Sequence, residues 1–175
     1  MVTIRLTTWV NAPMERCFLL ATNVEFNSAR TSAKAGGEAG GYTFQVGDTF
    51  DRSAWGLGIR MSHTSRIEEI RPYSYFKEVM IEGSFRQFEH EHHFTPLDDG
   101  TRVRSEVRFI GGLGPLRLLI ERVLLRRYVM KLLITRHMRL KQAVESNEWR
   151  KYLESGQEPS PDLRSPKVAE MQRFA

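Results

Sequence analysis

Several things the sequence has little of narrow the reading before any motif is considered. One cysteine among 175 residues excludes an internal disulfide. That residue, Cys17, lies among apolar neighbours in RCFLLA and reads as a small core residue in a reducing compartment, not as a nucleophile. The start, MVTIRLTTWV, has no basic segment followed by an apolar run, so no signal peptide is expected there. No apolar stretch is long enough to cross a bilayer, because Leu113 to Ile134 is interrupted by Arg117, Glu121, Arg122, Arg126, Arg127 and Lys131. A cytoplasmic location follows. Concentrated basic runs interleaved with aromatics are also missing, so nucleic acid is not an expected partner.

What is present suits one soluble domain. The apolar fraction of 41% against 27% charged residues argues against a largely disordered chain, and the length suffices for a single core. The domain is expected over residues 1–154. After Ser155 the sequence turns rich in proline and polar residues, and 155–175 is expected to be a flexible tail. The net charge of +5 comes largely from arginines and lysines between Arg117 and Lys141, which reads as a solvated helix face and leaves room for weak contact with a membrane surface.

Alternation of Val2, Ile4, Leu6, Thr8 and Val10 against Thr3, Arg5 and Thr7 predicts a half-buried first strand. Asn11 and Pro13 then open a short helix, and a second is expected from Val24 to about Arg30. The glycine-rich stretch from Ala33 to Gly47 fits an irregular edge strand or a flap. Strands follow at Thr49 to Trp55, Ile59 to Ile70, Tyr75 to Glu82, from Phe85, and at Thr101 to Ile110, separated by hairpin punctuation. Gly114 and Pro115 open a long amphipathic helix expected to reach Leu153, with an apolar stripe through Leu118, Leu125, Val129, Leu132, Leu140 and Val144. A meander of antiparallel strands closed by one long helix is a two-layer α+β fold, and a curved sheet of that kind leaves space beneath the helix.

FRQFEHEHHF, residues 85–94, concentrates the chemistry, with three histidines and two glutamates in ten residues. Period two puts Phe88, His90, His92 and Phe94 on one face and Glu89, Glu91 and His93 on the other. The phenylalanines point the first face inward, which leaves the second as a solvated charged face. Counting back through the turns sets His90 opposite Glu78 and His92 opposite Ser105, among Phe76, Met80, Phe88, Phe94, Val107 and Phe109. His63 is expected inward too, toward the end that holds Gly83. From the helix, Leu118, Leu125 and Val129 would complete the lining, with Arg122 and Arg136 as flanking cations that pair with the sheet or meet a ligand carboxylate. Trp55 and Leu57, at the turn between two strands, would form a cavity mouth.

Taken in order, TTWVNAPMERCFLLAT, GDTF, EGSFRQFEHEHHFTPLDDGTRV and GPLRLLIERVLLRRYVMKLLITRHMRLKQ resemble the START/Bet v 1-like (SRPBCC, helix-grip) superfamily, in its bacterial ligand-binding, polyketide cyclase/dehydrase-like branch. The similarity runs over roughly residues 2–146 and implies a seven-stranded antiparallel sheet gripping the last helix around a hydrophobic cavity. Members of that superfamily include lipid carriers, metabolite binders and cyclases, so the fold does not choose a reaction.

Three readings of the interior polar groups therefore stand open. They orient the polar end of a small hydrophobic ligand, lipid-like, isoprenoid or aromatic, or His90 and Glu78 act as acid and base in a cyclase or dehydratase. A metal site on His90, His92 and Glu78 is the third, and it lacks a fourth group of suitable type, so neither metal nor other cofactor is expected. A surface module that uses the basic helix to meet a protein or membrane is the non-ligand alternative.

Overall fold

The computed structural model describes residues 1–28, 43–56, 59–111 and 121–154, with side chains at 28, 52–56, 59–61, 121 and 122 excepted. Strand β1 (Val2–Val10) leads into helices α1 (Met14–Thr22) and α2 (Val24–Ser28). Strands β2 (Thr49–Gly56), β3 (Ile59–Arg71), β4 (Tyr75–Gly83), β5 (Phe85–Leu97) and β6 (Gly100–Gly111) form the meander. A wide π turn over Glu121–Leu125 continues into α3 (Arg126–Glu145), and a last turn, α4, covers Arg150–Leu153.

All strand pairs are antiparallel, in the order β1-β6-β5-β4-β3-β2. This is the helix-grip architecture in the α+β class, with six strands among the described residues where seven were expected. The glycine-rich segment is mostly outside the described residues, and of its described part Thr43 forms a strand-type bridge to Asn23.

The long helix also differs from expectation. It stops at Ser146, whose backbone is extended, and the chain re-forms one turn at α4. The break lets the aromatic side chains beyond it turn back onto the first helices. Arg16 lies 4.4 Å over the Trp149 ring, Tyr152 meets Phe26 edge-on at 5.3 Å, and Asn23 Nδ2 donates to the Tyr152 carbonyl at 3.2 Å. An unbroken helix would carry those groups away from α1 and α2. The inward stripe of α3 is Leu125, Val129, Leu133, Leu140 and Val144, whereas Leu132 is 43% exposed. Steps of four residues from Leu125 reach 133, which is why Leu133 and not Leu132 faces the sheet.

Inward side chains form two apolar clusters. One gathers Val10, Cys17, Phe18, Phe76, Phe94, Val103, Leu140 and Val144; the other gathers Ile4, Phe85, Phe88, Val107, Phe109, Leu125, Val129 and Leu133. Cys17 is fully buried in the first, and burial pushes its thiol up to about 11, so it stays protonated and inert. Gly83 fits the β4–β5 turn because its φ is +150° and a Cβ there would sit 2.4 Å from the Cβ of His63.

Candidate functional site

Five elements crossing the interior change from one apolar cluster to the other through a polar residue. On β5 the order is Phe88, His90, His92, Phe94; on β6 it is Val103, Ser105, Val107; on β4 it is Phe76, Glu78, Met80. Helix α3 runs Leu133, His137, Leu140, and β1 runs Leu6, Thr8, Val10. The result is a polar belt across an apolar core, with Glu78, His90, His92, Ser105 and His137 all at most 4% exposed.

Hairpin register brings the sheet members together, pairing Glu78 with His90 and His92 with Ser105. His90 Nδ1 lies 2.7 Å from Glu78 Oε1, and His92 Nε2 lies 3.5 Å from the same oxygen. The two imidazole centres are 3.8 Å apart, and the His92 ring stacks on Phe76 at 4.1 Å with an interplanar angle of 13°. From the helix, Arg136 Nη1 donates to Glu78 Oε1 at 3.2 Å while its Nη2 reaches Asn27 Oδ1 at 3.2 Å. Arg136 therefore ties the helix to both the sheet and α2. On the other flank, His137 Nε2 is 2.8 Å from Ser105 Oγ, and His137 Nδ1 is 2.8 Å from Thr8 Oγ1.

Burial decides the charge of these imidazoles. It pushes His92 well below the ordinary histidine range, with repulsion from His90 and Arg136 adding to it. His137 is lowered to about 4, again mainly by burial and then by the charge of His90 and Arg136. Both are neutral near pH 7.

Of the other expected site residues, His63 sits half-buried opposite Gly83, with its ring 5.0 Å from Phe88 and 6.1 Å from Phe85. Phe76, Val107 and Phe109 are fully buried, Phe88, Leu125 and Val129 are buried, and Met80 is half-buried. Leu118, Leu57, and the side chains of Trp55 and Arg122 lie outside the described residues, as does the expected tail at 155–175. His137 and Thr8 are the belt members that sequence reasoning passes over. The four-residue ladder Leu125, Val129, Leu133, His137 carries the signal, because a histidine on an apolar stripe must meet a polar partner inside.

Two buried hydroxyls stand apart from the belt's bonds. Among the described residues, Ser65 Oγ and Tyr128 Oη have no hydrogen-bond partner. Ser65 lies on β3 across from Met80, and Tyr128 packs against the second apolar cluster.

Glu78, His90 and His92 each offer one ligand atom, all within 4.8 Å of one another, the donor set of a metal site built from two imidazoles and a carboxylate. Against that use, the Arg136 guanidinium occupies the same carboxylate oxygen and would face the ion with like charge.

These observations meet the comparisons with known proteins. The profile of the family described as polyketide cyclase / dehydrase and lipid transport matches residues 37–132. The chain belongs to that family. Its fold is also that of solved relatives. The Zhui aromatase/cyclase from a Streptomyces species superposes with a TM-score of 0.69 at 14% identity, covering 89% of this chain and 99% of that one. A Thermus thermophilus protein gives 0.65 at 19% identity over 81% and 99%, and a START superfamily protein from Mycobacterium smegmatis gives 0.59 at 16% over 82% and 97%. No curated protein matches in sequence. The family's description spans both a reaction and lipid transport, so membership leaves open whether the interior binds or reacts.

On the outer face of the sheet, Glu106 is 4% exposed yet receives Arg5 at 2.7 Å, Arg104 at 2.9 Å and Arg108 at 2.8 Å. Those hydrogen bonds, Arg5 first, hold its carboxyl down at about 2. Glu89, Glu91 and His93 share this face, where Arg108 Nη1 meets Glu91 at 3.0 Å. No described helix is long and apolar enough to cross a membrane. The outward side of α3 and its leading turn does expose Val123, Ile134 and Met138 beside Arg126, Arg127 and Lys131.

The depressed pKa values predict how stability depends on acid, with His92 acting in the same sense as His137. The folded state holds His137 at about 4 against an ordinary 6.5, and Glu106 at about 2 against 4.5, so in both windows the unfolded chain binds more protons. Stability should fall as pH drops from 6.5 to 4 through His137, and again from 4.5 toward 2 through Glu106. Urea midpoints taken from about pH 7 down to about pH 3 read this directly, and Glu106→Gln should flatten only the more acidic limb.

Proposed function

We propose that this is a cytoplasmic binder of a small hydrophobic molecule, lipid-like or aromatic, held beneath α3 with its polar end at the belt. The observation that carries the reading is the pair of buried, unpartnered hydroxyls, Ser65 Oγ and Tyr128 Oη. A buried hydroxyl without a partner costs about 1–3 kcal/mol and persists where something else satisfies it. A guest oxygen is such a partner. Membership of a family whose description includes lipid transport supports the same reading.

The test is a substitution whose effects on stability and binding separate. Ser65→Ala removes a group that makes no bond in the folded protein, so thermal stability should hold or rise slightly. Affinity for the molecule that co-purifies from the protein's own cells, identified by native mass spectrometry, should fall about three- to tenfold, the worth of one hydrogen bond. A destabilised Ser65→Ala protein with unchanged affinity would remove the reading.

A second reading is favoured by the 2.7 Å contact between His90 and Glu78 and by the likeness to an aromatase/cyclase. In a cyclase or dehydratase this pair would move a proton on the guest, one as acid and the other as base. In the same titrations His90→Ala separates the two. Loss of affinity with no turnover before or after marks a binder, whereas retained affinity with lost turnover marks an enzyme.

A further inference from the structure

The belt leaves no freedom in where its protons lie. Glu78 Oε1 takes hydrogen bonds from His90 and from the Arg136 guanidinium, so it is a carboxylate oxygen and only accepts. His92 Nε2 faces that oxygen at 3.5 Å. A bare ring nitrogen there would set two lone pairs against each other in a buried site, so Nε2 carries the hydrogen. In the neutral ring, Nδ1 is then the acceptor, and Ser105 Oγ, 3.2 Å away, gives it its single hydrogen. Ser105 has only lone pairs left for His137 Nε2 at 2.8 Å, which must therefore donate. His137 Nδ1 in turn accepts from Thr8 Oγ1 at 2.8 Å. One carboxylate thus orders four hydrogen bonds in a single sense, from the half-buried Thr8 to the buried Glu78.

We propose that Thr8, His137, Ser105 and His92 form a proton relay that ends on Glu78 and connects this carboxylate to the half-buried Thr8 of β1. The transfer balances. A solvent hydronium gives its proton to Thr8 Oγ1 as the Thr8 hydrogen moves to His137 Nδ1. The hydrogen on His137 Nε2 passes to Ser105 Oγ, that of Ser105 to His92 Nδ1, and that on His92 Nε2 to Glu78 Oε1. One proton enters and one arrives, the carboxylate becomes a carboxylic acid, and no relay member gains charge. Both imidazoles finish with hydrogen on Nδ1, and the reverse transfer resets them. Glu78 can thereby exchange its proton through side chains of the protein while a guest is bound. His137 and Thr8 are positioning residues here, acting through Ser105 and His92.

The use of the relay rests on Glu78 being the polar pole of the ligand site, but its test needs no ligand, so it can fail while that reading stands. Nitrogen-15 spectra of the full chain at neutral pH should show His92 and His137 neutral, each with hydrogen on Nε2. This measurement uses the unmodified protein and does not depend on any variant folding. Exchange of the His92 Nε2 hydrogen with water should slow about tenfold in Thr8→Val, where only local opening remains as a route, and recover in Thr8→Ser. A merely structural belt would fix the tautomers without tying exchange at His92 to a hydroxyl three hydrogen bonds away. Hydrogen on Nδ1 of either ring, or wild-type exchange at His92 in Thr8→Val, would overturn the proposal.

Discussion

A Glu78→Gln protein is expected to lose about 2–4 kcal/mol of folding stability at neutral pH, read as a lowered urea midpoint with an unchanged slope. The carboxylate is 1% exposed and one of its oxygens takes His90, His92 and Arg136. Glutamine keeps the shape but removes the charge that Arg136 meets at 3.2 Å, and turns one accepting atom into a donor among donors. The loss sits at the low end for a buried pair because the Arg136 side chain is 23% exposed and also holds Asn27. If the lost ion pair is the cause, Glu78→Gln with Arg136→Met should recover most of the stability, since neither charge of the pair then remains. A loss below about 1 kcal/mol would mean that the site does not rest on an ionised Glu78.

Glu106 supplies the contrast. It too meets three side chains, but these, Arg5, Arg104 and Arg108, are 63%, 45% and 34% exposed and keep their hydration. Position, not the number of partners, sets the magnitude, because cations that stay in solvent lose little by being parted from their partner.

Phe76→Ala should cost more, about 3–5 kcal/mol, the range for deleting a fully buried phenyl ring. Phe76 has no exposed surface, meets Phe18 edge-on at 6.2 Å, and lies flat against His92 at 4.1 Å. Alanine removes both the first cluster's centre and the surface that holds the His92 ring in plane, so the relay geometry should loosen with the core. Phe76→Leu should restore about half the stability by refilling volume. Calorimetry of the three proteins checks the order, and a loss under about 1.5 kcal/mol for alanine would show that the cavity closes around the smaller residue.

Much of the belt is legible before folding is considered. The alternation in 85–94 puts His90 and His92 on the inward face, and the short turns at Gly83–Ser84 and Leu97–Gly100 limit which residues oppose them. Glu78 with His90 and Ser105 with His92 follow from that arithmetic, and β-bulges in β3 near Ser65 and Ile67 do not reach either pair. The helix is less legible. Leu132 and Leu133 are adjacent and equally apolar, and composition alone does not say which faces the sheet. His137 is hidden for the same reason, since its role exists only once the helix has a rotation about its axis. The break at Ser146 is marked locally only by Ser146 and Asn147, weak helix formers that long helices also tolerate, and the packing of Trp149 and Tyr152 against α1 and α2 holds the chain in its new direction.

By itself, then, the sequence determined the family of the fold, the inward face of each strand, and the partners across each hairpin, because period-two alternation and turn length act over a few neighbouring residues. Only the tertiary structure decided that Thr8, Arg136 and His137 close those pairs into one continuous belt. Docking a helix on a sheet sets its rotation through the packing of the whole interface at once, and no local stretch of sequence carries that information.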